Sequence, residues 1–261
     1  MATIKPGKEK RRTGGWNLLK RIKVVNAGIS VNDDKMKIKL TLGAVIAFIA
    51  LLFLMHEAHE MVHTAVGRMI CGCWGQRDFN VWSLCEGCME KYPVAVWATF
   101  AGPLFTFTMI WMGVYFLSSA NTAWRSLGFA LIFANIPFAR IFTAAMDKGD
   151  EVYGLNRLLH QHQLSWVLGL TIVLLFTAYP LWKVYKAINN KNRVGYFILF
   201  LLSPMMLDMI IVFGLMNTLL RNGVLSSDWI LGAPVIVTLF TGTMLVIFIS
   251  TAKYIFRLAG K

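Results

Sequence analysis

The feature that most constrains this chain is a series of apolar stretches, each about 20 residues long, the length of helix that crosses a bilayer core. A single strand in lipid would leave its backbone amides and carbonyls without partners, so each stretch is predicted to be a helix. The predicted fold class is an all-α membrane protein, a polytopic bundle of about six transmembrane helices. The predicted spans are roughly Leu40–Ala65, Val94–Leu117, Ser126–Met146, Leu164–Tyr185, Gly195–Leu219 and Trp229–Ser250.

The composition argues against a soluble domain. Hydrophobic residues make up 57% of the chain and charged residues 15%, whereas soluble domains carry about 25% charged residues. Mean hydropathy is +0.58. Two parts are predicted: a basic cytoplasmic N-terminal arm, 1–39, and a six-span membrane domain, 40–261, with an extracytoplasmic cysteine loop at 70–93. The arm has no short apolar core followed by a cleavage site, so the first span is expected to be an uncleaved anchor.

The net charge of +13 is distributed unevenly between alternate loops. Basic residues cluster before the first span, between spans four and five, and after the sixth, whereas acidic residues concentrate in the opposite loops. This pattern predicts a multi-pass protein of the cell membrane with both termini cytoplasmic. The basic arm is expected to contact anionic lipid headgroups. A nucleic-acid partner is not expected, because the grouped aromatic residues that such binding uses are missing.

The end of the first span carries the motif that indicates chemistry. His59 and His63 are four residues apart on a predicted helix, so their imidazoles project from one face and can hold one metal ion. Glu60 follows the first histidine and can act as general base on a metal-bound water. His56 falls near the same face. Because ionisable groups in a membrane helix are costly and usually functional, we predict a Zn²⁺ site here.

Two histidines need a third protein ligand to make a zinc site with an open position. Only two other histidines exist, His160 and His162, so several histidine clusters of the di-iron type cannot form. A carboxylate is therefore the expected third ligand. The candidates are Asp147, Asp150, Glu151 and Asp208. Spans one and three both run outward in the predicted topology, which brings Asp147 and Asp150 level with the histidines and leaves Asp208 deeper.

These residues resemble the site-2 protease family of intramembrane zinc metallopeptidases. In that family one membrane helix carries His-Glu-x-x-His, a following span carries Gly-Pro, and a later span has Asn and Pro upstream of an Asp-Gly ligand motif. The matching pieces here are His59-Glu60-Met61-Val62-His63, Ala101-Gly102-Pro103-Leu104, Asn135-Ile136-Pro137 and Asp147-Lys148-Gly149-Asp150-Glu151. The resemblance covers about residues 41–151.

The resemblance implies roles for individual residues. His59 and His63 would be zinc ligands, Glu60 the general base, and Asn135 would help to hold the substrate backbone. The last motif departs from the family, because Asp147 is not followed directly by glycine. Asp150 is the preferred third ligand, since Gly149 allows a close approach of the backbone there, and Asp147 is the second choice.

All four cysteines, Cys71, Cys73, Cys85 and Cys88, fall in the loop after the first span. The predicted topology places them outside the cytosol, where thiols tend to oxidise, so two disulfides are favoured. A structural metal site and free thiols remain the alternatives, and sequence does not choose among the three possible disulfide connectivities. The crosslinked loop, with its aromatic residues, is expected to form a small cap near the metal.

Two further charged residues lie within predicted spans, Arg140 in the third and Asp208 in the fifth. An ion pair between them would lower the cost of burying both, and that pairing is the expectation.

The leading functional hypothesis is an intramembrane zinc metalloprotease that hydrolyses a peptide bond in a membrane-anchored protein substrate. Two alternatives remain: a zinc-dependent membrane hydrolase of a lipid amide or ester, and a non-enzymatic metal-binding scaffold or transporter using His56, His59 and His63.

Overall fold

The structure, a computed structural model, describes residues 35–260. Its helices are α1 (Leu42–Cys71), α2 (Cys88–Lys91), α3 (Ala98–Leu117), α4 (Thr122–Ala134), α5 (Pro137–Ala145), α6 (Asp150–Leu159), α7 (His162–Ala187), α8 (Arg193–Asp208), α9 (Asn217–Arg221) and α10 (Val235–Ile255). A 3-10 helix, Pro93–Trp97, precedes α3, and a π-helix, Met209–Met216, joins α8 to α9. Two short antiparallel strands complete the fold, β1 (Lys37–Ile38) and β2 (Ala259–Gly260).

The predicted fold class is confirmed. Residues 35–260 are 74% helical with almost no sheet, and six helical segments within them are long and apolar enough to cross a membrane. These six spans are Leu42–Cys71, Pro93–Leu117, Thr122–Ala145, His162–Ala187, Arg193–Arg221 and Val235–Ile255. The predicted boundaries differ most at the sixth span, which begins at Val235 rather than Trp229.

The first span is a single long helix with a defined cap at each end. The Thr41 hydroxyl accepts a hydrogen bond from the Ala44 amide, which satisfies one of the free donors in the first turn. At the other end Gly72 adopts a left-handed conformation, φ 80°, and its amide bonds the Arg68 carbonyl. The helix therefore stays regular through the histidine motif, which keeps residues four apart on one face.

The third span is broken in its middle. Helix α4 ends at Ala134, Ile136 has a left-handed φ of 47°, and Pro137 opens α5, where its missing amide costs no helical hydrogen bond. After α5, a turn in which Asp147 and Gly149 have positive φ leads into α6. This turn starts α6 at Asp150, whose negative charge is favourable at a helix N-terminus.

The described ends of the chain pack together at the pole of the bundle opposite the cysteine loop. Strand β1 pairs with β2, so the segment before the first span lies against the segment after the sixth. Met36 and Ile38, which belong to the predicted arm, are 1% and 3% exposed and join the core. Residues 1–34 of that arm lie outside the described residues, and so does its predicted lipid contact along that stretch.

Candidate metal centre

Three side chains from two helices, His59 and His63 of α1 and Asp150 of α6, converge at one point near the end of the first span. The Nε2 atoms of His59 and His63 are 3.1 Å apart. The Asp150 Oδ2 atom lies 3.2 Å from the first and 3.6 Å from the second. Ligands held 2.0–2.1 Å from a tetrahedral zinc ion are about 3.3 Å from one another, so the three atoms have the spacing of a zinc site. This group could hold a metal ion.

Each imidazole is oriented through its second ring nitrogen. The His63 Nδ1 atom donates to the Ala98 carbonyl at 2.7 Å, and the His59 Nδ1 atom is 2.9 Å from the Thr106 hydroxyl. When Nδ1 carries the proton, a neutral ring presents the Nε2 lone pair to the centre. Such contacts are the ones that fix the tautomer and orientation of metal-binding histidines. His63 is fully buried.

Gly102 lies directly against the two histidines. A Cβ atom at Gly102 would fall 2.2 Å from His63 Nε2 and 2.6 Å from His59 Cε1. Only glycine therefore allows α3 to approach this closely. The glycine of the Gly-Pro motif thus contributes to the site by leaving room for the histidine rings.

Glu60 lies on the same turn of α1 as His59 and is 8% exposed. Its Oε2 atom is buried and has no hydrogen-bond partner within residues 35–260. A buried acceptor left unpaired is costly, so such a group needs a ligand or a bound water. The donor set and this orphaned oxygen both fit zinc with a water in the fourth position.

Arg140 belongs to this site, although the sequence predicted an ion pair between Arg140 and Asp208. Its Nη1 atom donates to Asp150 Oδ2 at 3.0 Å, its Nη2 atom is 3.2 Å from His59 Nε2, and its Nε atom is 3.6 Å from Glu151 Oε1. The predicted Arg140–Asp208 ion pair is therefore wrong. The available signal was that Arg140 precedes Asp150 by only ten residues and sits at the same membrane level.

The environment of Asp150 favours its ionised form. Burial alone would raise its pKa, but contacts with the His59 and His63 imidazoles and the Arg140 guanidinium hold the pKa of Asp150 well below its usual range. Burial raises the pKa of the adjacent Glu151, against the opposing effect of Arg140. The two neighbouring carboxyl groups thus have different electrostatic environments.

The other two carboxylate candidates point elsewhere. Asp147, with φ 59°, turns outward and lies 2.8 Å from Nε2 of the exposed His162. Asp208 Oδ1 lies 2.9 Å from His56 Nδ1. Among the candidate aspartates, the structure brings Asp150 alone to the two histidines.

His56 is held away from the triad at a junction of three segments. Besides Asp208 of α8, its ring contacts the Phe79 carbonyl of the cysteine loop, with Nε2 and the oxygen 2.9 Å apart. The π-helix begins at Met209, the residue that follows Asp208, and π-helical turns occur frequently at functional sites. The junction lies one helical turn before Glu60, so it fixes α1 immediately next to the metal centre.

The cysteine loop, which was predicted at 70–93, lies against His63. The structure pairs Cys71 with Cys88 and Cys73 with Cys85 at disulfide distance, with Cα–Cα separations of 5.6 and 6.1 Å. Trp82 stacks on the His63 ring, with centroids 4.5 Å apart and planes 9° from parallel. The predicted cap near the histidines is therefore present, and two nested crosslinks hold it.

An ion pair also anchors this loop. The Arg77 guanidinium contacts the carboxylate of Glu57, and both side chains are buried. Burial lowers the pKa of Arg77 to about 10, with Asp78 opposing the change, so the group is still protonated at neutral pH. Glu57 is two residues before His59, which ties the loop to the helix that carries the motif.

Asn135 lies at the break in the third span rather than in contact with the triad. Its Nδ2 atom donates to the Leu131 carbonyl at 2.7 Å, and its buried Oδ1 atom has no partner in the described part of the chain. No hydrogen bond within residues 35–260 joins it to the histidines or to Asp150. Its predicted role in holding substrate stays a prediction.

A cavity of about 590 Å³ runs between α3 and α7 and reaches Glu151. Its walls are largely apolar and include the aromatic residues Phe100, Phe107, Trp111 and Phe176. Since Glu151 lies beside Arg140, one end of this apolar cavity is close to the triad. The cavity can accommodate apolar side chains or an acyl chain.

Comparisons with known proteins give no relative: no family model, no curated protein and no solved structure matches this chain.

Proposed function

We propose that this protein is an intramembrane zinc metalloprotease that hydrolyses a peptide bond in a membrane-anchored protein. The observation that carries the proposal is the convergence of His59, His63 and Asp150 next to the unpaired carboxylate of Glu60. Two neutral imidazoles, one carboxylate and an adjacent general base are the set that metallopeptidases use. The resemblance to the site-2 protease family points the same way.

In the proposed reaction, His59, His63 and Asp150 hold the ion. When bound, zinc supplies a Lewis acid that lowers the pKa of water and polarises a carbonyl. Glu60 accepts the proton of the attacking water and returns it to the leaving amine. Arg140, within hydrogen-bond reach of the ligands, can donate to the negative charge that develops on the carbonyl oxygen.

The proposed location is the cell membrane, with both termini cytoplasmic and the cysteine loop outside. Cysteine pairs at disulfide distance support this orientation, because such bonds persist in oxidising compartments. The described segments at the opposite pole, 35–41, 118–125, 186–193 and 253–260, contain no acidic residues. This charge distribution also supports a cytoplasmic location of that pole.

One observation favours a second candidate, hydrolysis of a lipid amide or ester. The cavity between α3 and α7 is apolar along its length and ends near the proposed metal centre, which suits an acyl chain as well as a peptide. The transporter alternative has less support, because His56 is turned toward Asp208 and away from the other two histidines.

The test uses the full-length protein reconstituted with a panel of single-span membrane reporters tagged at both ends. We expect wild type to shorten at least one reporter, and Glu60→Gln to be at least about a hundredfold slower at unchanged zinc content. Glu86→Gln, an exposed loop residue, is the matched control and should cleave normally. Equal cleavage by wild type and Glu60→Gln would overturn the proposal. Release of fatty acid from an N-acyl lipid, lost in Glu60→Gln, without any peptide cleavage would favour the second candidate.

A further inference from the structure

A second cavity lies at the pole of the bundle opposite the metal centre. It has a volume of about 720 Å³ and is lined by residues from the start of α1, the start of α4 and the segment after α10. His59 is 17 residues beyond Leu42, so the cavity is about 26 Å from the metal centre along α1. The two sites are therefore separate.

Two cations line this cavity, Lys39 and Arg257. Both are exposed, and neither lies within 4 Å of a carboxylate of the described residues. Backbone pairing holds them near each other, because the Lys39 amide donates to the Leu258 carbonyl at 2.8 Å. The Lys39 side chain lies across Gly260, where a Cβ atom would be 2.6 Å from its Nζ atom.

The first residues of two helices line the same space. Thr41, the N-cap of α1, and Thr122, the first residue of α4, both line the cavity. Helices of this length carry a partial positive charge at the N-terminus and attract anions there. The four described segments at this pole contain nine Lys and Arg residues and no Asp or Glu. The local field is thus strongly positive.

Aromatic side chains complete the cavity. Tyr254 and Phe256, at and just beyond the end of α10, line it. Tyr254 packs on the first turn of α1, where a Cβ atom at Gly43 would be 2.8 Å from its ring. Aromatic residues at the end of a membrane span are typical of the lipid headgroup level. A ligand here meets both cations and aromatic rings.

We propose that this cavity binds the phosphate of an anionic phospholipid headgroup. Two side-chain cations and two helix N-termini match a phosphate, and the rings of Tyr254 and Phe256 match the glycerol and the first acyl carbons. Free phosphate shares the anionic chemistry but gains nothing from the apolar wall, so the lipid is the ligand to which the geometry points. Under the proposed topology it comes from the cytoplasmic leaflet.

The test measures retained lipid by native mass spectrometry of the full-length protein titrated with phosphatidylglycerol or phosphatidylcholine. We expect wild type to bind one phosphatidylglycerol at least about tenfold more tightly than phosphatidylcholine. Each cation near a membrane surface is worth about a fivefold factor, so Lys39→Gln or Arg257→Gln should lower affinity about fivefold and the double variant about 25-fold. Lys186→Gln with Lys191→Gln, which removes the same charge at the same pole outside the cavity, should change affinity less than twofold.

Two further measurements separate binding in the cavity from the general positive charge of this pole. Gly260→Ala alters no charge but displaces the Lys39 ammonium, so it should weaken phosphatidylglycerol binding while zinc content stays constant. Inorganic phosphate at millimolar concentration should not displace the lipid. Equal affinity for the two lipids, an equal loss in the Lys186 and Lys191 control, or binding of inorganic phosphate without any lipid preference would each overturn the proposal.

Discussion

The first three spans and the last three differ in how far the protein encloses them. In their most apolar stretches, the first three are 50%, 44% and 61% buried, and the last three are 28%, 22% and 11% buried. The two histidines lie in span one, their supporting contacts come from span two, and Asp150 follows span three. Ionisable groups are costly in lipid, so the enclosed half is the one that can carry a metal centre.

The comparison has one exception. Asp208 in span five is 7% exposed and pairs with His56 of span one. The sixth span also packs against the first, although most of its surface faces outward. The outer half therefore supports the enclosed half along α1. If function and stability divide between the two halves, substitutions at the metal centre should affect zinc most and substitutions in the outer half least.

Removing both motif histidines should have the largest effect. His59→Ala with His63→Ala deletes two of the three proposed ligands, so zinc content should fall from close to one per chain to less than about a tenth of that. The matched control is His160→Ala with His162→Ala, which removes two exposed histidines. Zinc is measured by elemental analysis of purified protein. Full zinc content in the motif variant would place the metal elsewhere.

Replacing the third proposed ligand should weaken binding without abolishing it. Asp150→Asn keeps the shape and removes the charge, so the zinc dissociation constant should rise at least about tenfold. Loss of a residue that only hydrogen-bonds to a metal ligand already costs about that much affinity. Asp147→Asn changes the same residue type three positions away, beside the exposed His162, and should leave zinc affinity unchanged. Competition with a chromogenic chelator gives both constants. The reverse result would make Asp147 the ligand.

A pair of glycine substitutions compares the two halves directly. Gly102→Ala puts a Cβ atom 2.2 Å from His63 Nε2, whereas a Cβ atom at Gly242 in the sixth span meets nothing within 4 Å. Gly102→Ala should therefore lower zinc affinity several-fold and cost about 1–3 kcal/mol of stability, as overpacking does. Gly242→Ala should change stability by less than about 0.5 kcal/mol. Thermal unfolding in detergent measures the stability of both variants, and equal losses of stability would remove the distinction between the halves.

Sequence periodicity and hydropathy predict the number of spans, and the spacing of four residues predicts that His59 and His63 share one helix face. Both features depend on local geometry. They failed where apolar composition hides a turn. The segment before α10 is apolar at Trp229 and Ile230, but positive φ values at Leu231 and Gly232 keep it from joining the helix. The break at Ile136 was likewise hidden inside an apolar run.

Contacts between helices were harder to predict than the helices themselves. Which of Asp147 and Asp150 meets the histidines depends on one turn with two positive φ values, and Gly149 was the single hint in the sequence. The partners of Arg140 and Asp208 depend on the rotation of helices about their axes, which hydropathy does not record. That is why their mutual pairing was wrong, and why Arg140 was missed as a neighbour of the metal centre.

The smallest expected effect on zinc comes from Asp208, the polar residue that the outer half contributes to the enclosed half. Asp208→Asn leaves an oxygen that can still accept from His56 but removes the charge that strengthens the hydrogen bond, a loss of about 1–2 kcal/mol. The triad itself is untouched, so zinc affinity should stay within twofold of wild type. Asp228→Asn, an exposed residue of the loop before α10, is the matched control and should change neither quantity. Lower stability at constant zinc affinity would mean that span five braces α1 without shaping the ligand set. A parallel loss of zinc would instead mean that the His56–Asp208 junction positions the histidines, and the boundary between the two halves would then have to include span five.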